Sequence, residues 1–226
     1  YEMRLETERI QQENIQKLRL IEAEKLQQQL RKERLVREKE KLERQKRLEA
    51  NPRYIQRERE KALFSRFGIR YNDLSKNSWG KLICILQALD SNQRLSQNET
   101  VWLASEGRQF FSGAVKVKFY RTEADFYLQD YQKNKDLWSA INASSNLRKA
   151  EASKEAEMLL EGIKIEHITN KKLISAYLTT LGGVKRDEKK ATIAIELATK
   201  AHEKTPEDYR PCTLLGAVYM ENGIYE

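Results

Sequence analysis

The sequence has few residues of the kinds that make turns, cross-links or membrane spans. Nine glycines and three prolines in 226 residues leave little for the many turns of an all-β fold, and two cysteines exclude a disulfide scaffold. No apolar run approaches the roughly 18 residues of a membrane-spanning helix. Only 39% of the residues are hydrophobic, below the level of about 45–50% in typical globular domains. These deficits predict an all-α, cytoplasmic protein without a membrane segment.

Charge, in contrast, is abundant and basic. Lysine and arginine number 42 against 34 acidic residues, which gives a formal net charge of +8. Residues 1–60 hold 17 basic and 13 acidic residues, and residues 61–226 hold 25 and 21, so each part has an excess of +4. A basic balance is compatible with nucleic-acid contact or with a solvated helical surface. The even distribution favours the solvated surface.

Residues 1–49 contain neither glycine nor proline. Fourteen of the nineteen residues from 31 to 49 are charged, and Glu33–Arg37 is one of three favourable i,i+4 pairs. The pattern predicts a charged helix on the order of 70 Å long. Its leucines and isoleucines do not keep a heptad repeat. Residues 1–60 are therefore interpreted as an irregular coiled coil or a free helix, with self-association as the expected role.

A second hypothesis concerns residues 31–47, which hold nine cations against four carboxylates. Clustered cations are what a nucleic-acid backbone binds, but the pattern favours a solvated helix face over phosphate binding. Under this hypothesis the protein is nucleic-acid-associated, and any nuclease or regulatory activity lies outside these 226 residues. The candidate phosphate contacts are Arg31, Lys32, Arg34, Arg37, Lys41 and Arg44.

The composition changes after the first sixty residues. Asn51–Pro52 predicts a helix break, because the residue before a proline avoids the α region. A second helix is predicted to follow and to end at Gly68. Aromatic residues are frequent from Phe64 onward, which places a helical domain at 61–165.

Helices are also predicted inside this domain. Ser78 and Ser96 are candidate N-caps, and a third helix follows Asp136. Residues 115–119 alternate like a strand, but a helix is preferred because a lone strand would have no partner. Another helix is expected from about Ser145 to Leu160. The residues expected in the core include Trp79, Trp102, Trp138, Cys84 and Cys212.

The C-terminal part, 166–226, contains an internal repeat. Leu181–Gly182 recurs as Leu215–Gly216, 34 residues later. In a helix–turn–helix unit of this length, small residues let two helices approach closely and a proline ends the second helix. From about residue 175 onward the sequence resembles the tetratricopeptide repeat family. The matching positions are Leu178, Leu181, Gly182, Ala194, Ala201 and Pro206, then Cys212, Leu215, Gly216, Tyr219, Gly223 and Tyr225.

The match has departures. Lys185 stands where the family usually has an aromatic residue, and Ala198 where it has a large apolar one. The Gly182–Gly183 pair is compatible with an early end of the first helix. Since the second unit is cut off at residue 226, Leu215, Val218 and Tyr219 are expected to form an exposed apolar face.

The resemblance implies an α-solenoid that binds a peptide or a helix in a concave groove, and hence a protein-binding or scaffold module. Arg186 and Arg210 would suit an acidic ligand, while surface ion pairs with Asp187 and Asp208 are the alternative. The groove positions that the resemblance implies are Thr179, Thr180, Arg186, Arg210, Thr213 and Met220.

The ends of the sequence, Tyr1 and Glu226, both fall within helical patterns, so a longer polypeptide is expected. Residues 204–217 are similar to bacterial multidomain repeat proteins. The expected parent is therefore a larger protein of bacterial type.

Motifs for catalysis are missing. The sequence has no GxxxxGK[ST], GxGxxG, GxSxG or HExxH pattern. Glu123 and Asp125, beside aromatic residues, are the only acidic pair that merits a test as a catalytic pair. His167 and His202 are 35 residues apart and are interpreted as surface or capping residues. No enzyme activity, cofactor or metal is expected within this chain.

Overall fold

The computed structural model describes residues 2–70 and 76–223, with side chains for residues 17, 19–70 and 79–223. These residues form ten α-helices and a short 3-10 helix, and they contain no strand, so the described chain is all-α as the composition predicts. No helix in these segments is long and apolar enough to cross a membrane. The helices are α1 (Glu2–Glu49), α2 (Pro52–Arg66), α3 (Lys76–Asp90), α4 (Gln97–Ala104), α5 (Gly113–Asn134), α6 (Leu137–Lys149), α7 (Ser153–Glu161), α8 (Lys171–Asp187), α9 (Ala191–Lys204) and α10 (Tyr209–Glu221).

The chain divides into two compact units, residues 1–60 and 61–226. In the first unit, α1 is a single helix of 48 residues, and every described side chain from residue 19 to residue 49 is exposed. Gln29 Nε2 donates to Glu33 Oε1 at 3.5 Å, whereas the predicted Glu33–Arg37 ion pair is not formed within this described stretch. An exposed i,i+4 pair is worth only a few tenths of a kcal/mol, which is too little to hold two long side chains together.

The break after α1 lies where the sequence predicts it. α1 ends at Glu49 and α2 begins at Pro52, whose missing N–H is not needed in a first helical turn. The Asn51 side chain accepts a hydrogen bond from the Arg53 backbone N–H at 3.0 Å and so caps α2. Gly68 follows α2 with φ +69°, a left-handed conformation that confirms the predicted helix end.

The core of the second unit begins with the last residues of α2, from Lys61 onward, and with α3, α4 and α5. Phe64, Leu82 and Leu86 are fully buried in this cluster, and Trp102 is nearly so. The predicted capping box of α4 is confirmed, because Ser96 and Glu99 bond each other's backbone N–H groups. Apolar and polar residues alternate at 115–119, but this segment lies in the 22-residue helix α5. The helix preferred over a lone strand is therefore confirmed.

Three expectations about this region are wrong. Ser78 does not cap a helix, because α3 already begins at Lys76. Cys84 is exposed, since it lies between the buried positions Leu82 and Ile85 and points away from the stripe that faces the core. The predicted Ser145–Leu160 helix is two helices: α6 continues to Lys149, and α7 begins only at Ser153 after Glu151 takes a left-handed φ of 62°.

A second hydrophobic cluster joins α5, α6, α7, α8 and α9. It includes Ile141 and Leu147 of α6, Leu160 of α7, and Leu181 and Val184 of α8. The members of this cluster lie on both sides of residue 165. This cluster therefore holds α6 and α8 side by side.

The last three helices pack in sequence order, α8 on α9 and α9 on α10. Gly182 lies at the closest approach: a Cβ there would be 2.9 Å from Leu214 Cδ2 and 3.3 Å from the Ala194 carbonyl oxygen. Ala194, Ala198 and Ala201 on α9 are fully buried. Small residues therefore allow the helices to approach closely, as the repeat pattern predicts.

Further details of this region differ from expectation. The Gly182–Gly183 pair does not end α8, which continues to Asp187. The expected exposed apolar face of α10 is not formed, because α9 covers this side of the helix: Val218 is fully buried, and Leu215 and Tyr219 are partly buried. Cys212 is exposed beside that buried side. α9 ends at Lys204, just before Pro206, as predicted.

Candidate binding groove

Helices α6, α8 and α10 line an open groove with a volume of about 330 Å³. α8 contacts both α6 and α10, and contributes residues along the groove between them. No other helix contributes a lining residue among the described part of the chain. The groove is thus a surface that three neighbouring helices leave uncovered.

α8 contributes two threonines, a glycine and an arginine at helical spacing. Its first turn is fixed by Asn170, whose side chain accepts from the Lys172 and Leu173 N–H groups at 3.0 and 3.2 Å. The hydroxyls of Thr179 and Thr180 donate to backbone carbonyls one turn back, at 2.7 and 2.8 Å. Their donor hydrogens are therefore used, and each hydroxyl offers the groove its acceptor oxygen.

α10 contributes Arg210, Thr213, Leu214 and Ala217. Asp208 caps this helix and also binds Arg210, with an Arg210 Nη2–Asp208 Oδ2 distance of 2.6 Å and both Nε contacts at 3.0 Å. The hydrogen bonds from Arg210 lower the pKa of Asp208, and Asp208 in turn raises the pKa of Arg210. The guanidinium is therefore oriented from one side by its own helix cap.

α6 forms the third wall with Trp138, Ile141, Asn142, Ser145 and Arg148. Trp138 follows the N-cap Asp136 directly and is 38% exposed, so the expectation that it lies in the core is wrong. Its ring lines the groove. The wall combines an aromatic surface with amide, hydroxyl and guanidinium groups.

Arg148 and Arg186 share one carboxylate at the edge of the groove. Arg148 Nη1 lies 3.0 Å from Asp187 Oδ2, and Arg186 Nη2 lies 3.3 Å from Asp187 Oδ1. Gly183 makes room for this arrangement, since a Cβ at that position would be 3.3 Å from Arg148 Nε. The missing side chain allows a guanidinium from α6 to lie directly against α8.

The charge of the groove surface is set by its lining side chains and by the carboxylates that bind them. Arg148, Arg186 and Arg210 all line it, one from each helix, and no carboxylate is among its described lining residues. Asp187 and Asp208 bind the arginines from outside the lining. Arg148 and Arg186 share Asp187, and Arg186 Nε also lies 3.8 Å from Glu221 Oε1. The carboxylate partners of the arginines therefore all lie outside the lining, while the lining itself presents guanidinium groups. The groove can therefore accept an anionic group by charge-assisted hydrogen bonds.

The structure brings together five of the six groove positions that the repeat resemblance implies. Thr179, Thr180, Arg186, Arg210 and Thr213 all line the same groove. Met220 does not line it and is 70% exposed elsewhere on α10. The alternative ion pairs, Arg186 with Asp187 and Arg210 with Asp208, are also formed.

Sequence reasoning missed the whole contribution of α6. Trp138, Asn142, Ser145 and Arg148 precede the repeat-like segment, so the 34-residue pattern gives no indication of them. Their spacing of four, three and three residues was a usable signal, because it places all four side chains on one face of a helix.

The acidic pair Glu123 and Asp125 does not form a joint site. Glu123 accepts two hydrogen bonds from Arg94, at 2.7 and 2.9 Å, and these raise the pKa of Arg94. Asp125 binds a different arginine, Arg121, at 3.4 Å. Residues two apart on a helix face different directions, which explains why the two carboxylates have separate partners.

The histidines and cysteines form one contact in the described chain. Cys212 Sγ lies 3.5 Å from His202 Nδ1, while His167 is exposed in the segment before α8. No group of three or more potential metal-binding side chains is found among the described residues.

The candidate phosphate contacts of α1 are all exposed but do not share one face. Arg34, Arg37, Lys41 and Arg44 recur at spacings of three, four and three residues and lie on the same side of the helix. Arg31 and Lys32 lie on other sides.

Comparisons with known proteins give no relative from which a function could be inferred. No protein-family model, no curated protein and no solved structure matches this chain.

Proposed function

We propose that this protein is a protein-binding module whose groove between α6, α8 and α10 takes an acidic peptide or an acidic helix. The observation that carries the proposal is the meeting of Arg148, Arg186 and Arg210 at one surface without a lining carboxylate. A peptide carboxylate can replace the shared contact with Asp187 while the apolar part of the ligand lies on Trp138. The role fits a scaffold protein and not an enzyme.

The tetratricopeptide-like nature of residues 175–226 is part of this proposal. It is supported by the sequential packing of α8, α9 and α10 and by the close approach at Gly182. In such repeats the first helices of successive units face a common groove, and α8 and α10 do so here. α6, which comes before the repeat-like segment in the chain, forms the remaining side of the groove.

Assembly through residues 1–60 is the second part of the proposal. Leu20, Leu35 and Leu42 lie on one side of α1 and are each at least half exposed, so a second copy of the helix could cover them. Light scattering over a range of concentrations tests this part. A mass that stays that of a monomer at high concentration contradicts it.

Peptide arrays test the groove directly. The full chain is exposed to 12-residue peptides in three sets, with net charges of about −4, 0 and +4, and we expect preferential binding to the acidic set. The variant R186E/R210E should lose at least about tenfold in affinity for that set, because two charge-assisted hydrogen bonds are replaced by repulsion.

The matched control is K154E/K200E, which makes the same change in charge at two exposed positions outside the groove lining. It should retain the binding of the wild type. Equal binding to all three peptide sets, or an equal loss in both variants, contradicts the proposal. Thermal unfolding of both variants shows whether the fold is intact.

A further inference from the structure

Four of the six described arginines of α1 lie on one side of the helix, and four of its six described lysines lie on the opposite side. Viewed along the helix, at about 100° per residue, one row of exposed residues recurs at steps of three and four from residue 19 to residue 48. This row, the arginine face, contains no carboxylate. It consists of Arg19, Ala23, Leu26, Leu30, Arg34, Arg37, Lys41, Arg44 and Leu48.

The opposite side of α1 carries a different cation. Lys25, Lys32, Lys39 and Lys46 recur every seven residues and point away from the arginine face. We call them the lysine face. Both faces are exposed to the same solvent, so solubility alone gives no reason for the two cations to separate.

The chemistry of the two cations explains what such a separation provides. A guanidinium presents a planar fork of donors that binds phosphate or carboxylate through two parallel hydrogen bonds, whereas an ammonium group is a compact and strongly hydrated charge. Arginines on one face therefore make a recognition surface. Lysines on the other face keep the helix hydrated.

The cations of the arginine face are also available. Arg34, Arg37, Lys41 and Arg44 form no ion pair or side-chain hydrogen bond within the described chain, in contrast to Arg148, Arg186 and Arg210 in the groove. Together the four span about 15 Å along a straight helix. A nucleic-acid strand presents a phosphate about every 3.4 Å of its axis, so several phosphates lie within reach of this row.

The apolar residues argue against a membrane as the ligand of this face. An interfacial helix needs a broad apolar face that enters the lipid. On α1 the arginine face mixes five cations with Leu26, Leu30 and Leu48, whereas the other leucines lie on other sides of the helix. No single face of the described helix is both wide and apolar.

We infer that the arginine face of α1 binds the phosphate backbone of a nucleic acid, with Arg34, Arg37, Lys41 and Arg44 as its contacts. This inference selects four of the nine cations in residues 31–47 and excludes Arg31 and Lys32 on geometric grounds. It does not depend on the groove, which lies in the other unit and is proposed to bind protein.

The experiment measures binding of the full chain to a fluorescent DNA duplex by anisotropy, at salt concentrations from about 50 to 200 mM. Four to five phosphate contacts predict an affinity that falls about 100- to 500-fold over this range. The variant R34Q/R37Q/K41Q/R44Q should bind at least about tenfold more weakly at low salt, with a salt slope smaller by three to four. Glutamine is a good helix former, so circular dichroism should show unchanged helicity.

The control variant K25Q/K32Q/K39Q/K46Q removes the same number of charges from the lysine face. It should stay within about threefold of the wild-type affinity, because its arginine face still contacts the phosphates. The groove variant R186E/R210E should leave duplex binding close to that of the wild type, so that failure of either proposal is recognised separately.

Four results would overturn the inference. The first is that the wild type does not bind the duplex at about 50 mM salt. The second is that the arginine-face and lysine-face variants lose the same affinity. The third and fourth are that polyglutamate competes as effectively as unlabelled duplex, and that the protein binds anionic phosphatidylserine vesicles in preference to the duplex. The last two results would assign the face to an acidic protein and to a membrane.

Discussion

The two units of this protein use leucine in opposite ways. In α1 the described leucines are about half exposed, whereas in residues 61–226 leucines such as Leu86 and Leu160 are fully buried. The sequences explain the difference: α1 distributes a few leucines around a highly charged helix, and α3 places its apolar residues on one stripe. A helix of the first kind is stabilised locally, and a helix of the second kind depends on its neighbours.

One leucine substitution in each unit tests this difference, and its predicted change in the free energy of unfolding is the largest of those proposed. Leu86→Ala should lower the free energy of unfolding by about 2–5 kcal/mol, because it leaves a cavity in a closed core. Leu42→Ala should change it by no more than about 0.5 kcal/mol in dilute protein, since Leu42 is 53% exposed.

Guanidinium unfolding monitored by tryptophan fluorescence follows residues 61–226, where all three tryptophans lie, and circular dichroism follows the whole chain. Similar losses in the free energy of unfolding of the two variants would show that α1 is packed and would contradict the difference between the two units.

The next prediction applies the same reasoning to the two glycines of the internal repeat. Gly182→Ala should destabilise by about 1 kcal/mol, because a Cβ there meets Leu214 and the Ala194 carbonyl, and the gain in helix propensity offsets only part of the strain. Gly216→Ala should stabilise by about 0.5–1 kcal/mol, because nothing lies within 4 Å of its Cβ position.

Urea unfolding of the two variants gives both values. The same sign of change at the two positions would contradict the structural difference between the two Leu–Gly pairs.

The smallest effect concerns the cap of α10. Binding of Arg210 holds the pKa of Asp208 below its usual value, so this contact stabilises the protein above the unfolded-state pKa and is lost as the pH falls through the folded-state pKa. Asp208→Asn keeps a capping oxygen but removes the charge. We expect it to cost about 0.3–1 kcal/mol at neutral pH, typical of an exposed ion pair.

Urea unfolding of wild type and variant at pH values from about 7 down to 3 measures the difference. It should shrink as the pH falls. A difference that is independent of pH would show that the ion pair contributes nothing.

The α8 and α10 sides of the candidate groove could be predicted from the sequence, whereas its α6 side could not. Thr179, Arg186 and Arg210 are groove positions that the tetratricopeptide resemblance implies, and all three line the groove. Arg148 and Trp138 were not predicted there, because α6 belongs to no repeat and its position beside α8 results from long-range packing of Leu147, Leu160 and Val184.

The errors have the same origin. The sequence predicts Cys84 and Cys212 in the core because their neighbours are apolar, and Trp138 because it belongs to an apolar stripe at helical spacing. On a helix, adjacent residues point about 100° apart, so an apolar neighbour does not show which side is covered. Val218 was expected to be exposed because its repeat is incomplete, yet α9 alone is enough to bury it.

The scarcity of glycine, proline and long apolar runs is enough to predict a helical chain, and within the described residues it also predicts the single charged helix Glu2–Glu49. Local pairing and the absence of helix breakers suffice for that, since each hydrogen bond of a helix closes within five residues. Which helix faces are covered was decided only by the tertiary structure. Whether three arginines from distant positions share one groove depends on how α6, α8 and α10 pack, and no local pattern specifies that packing.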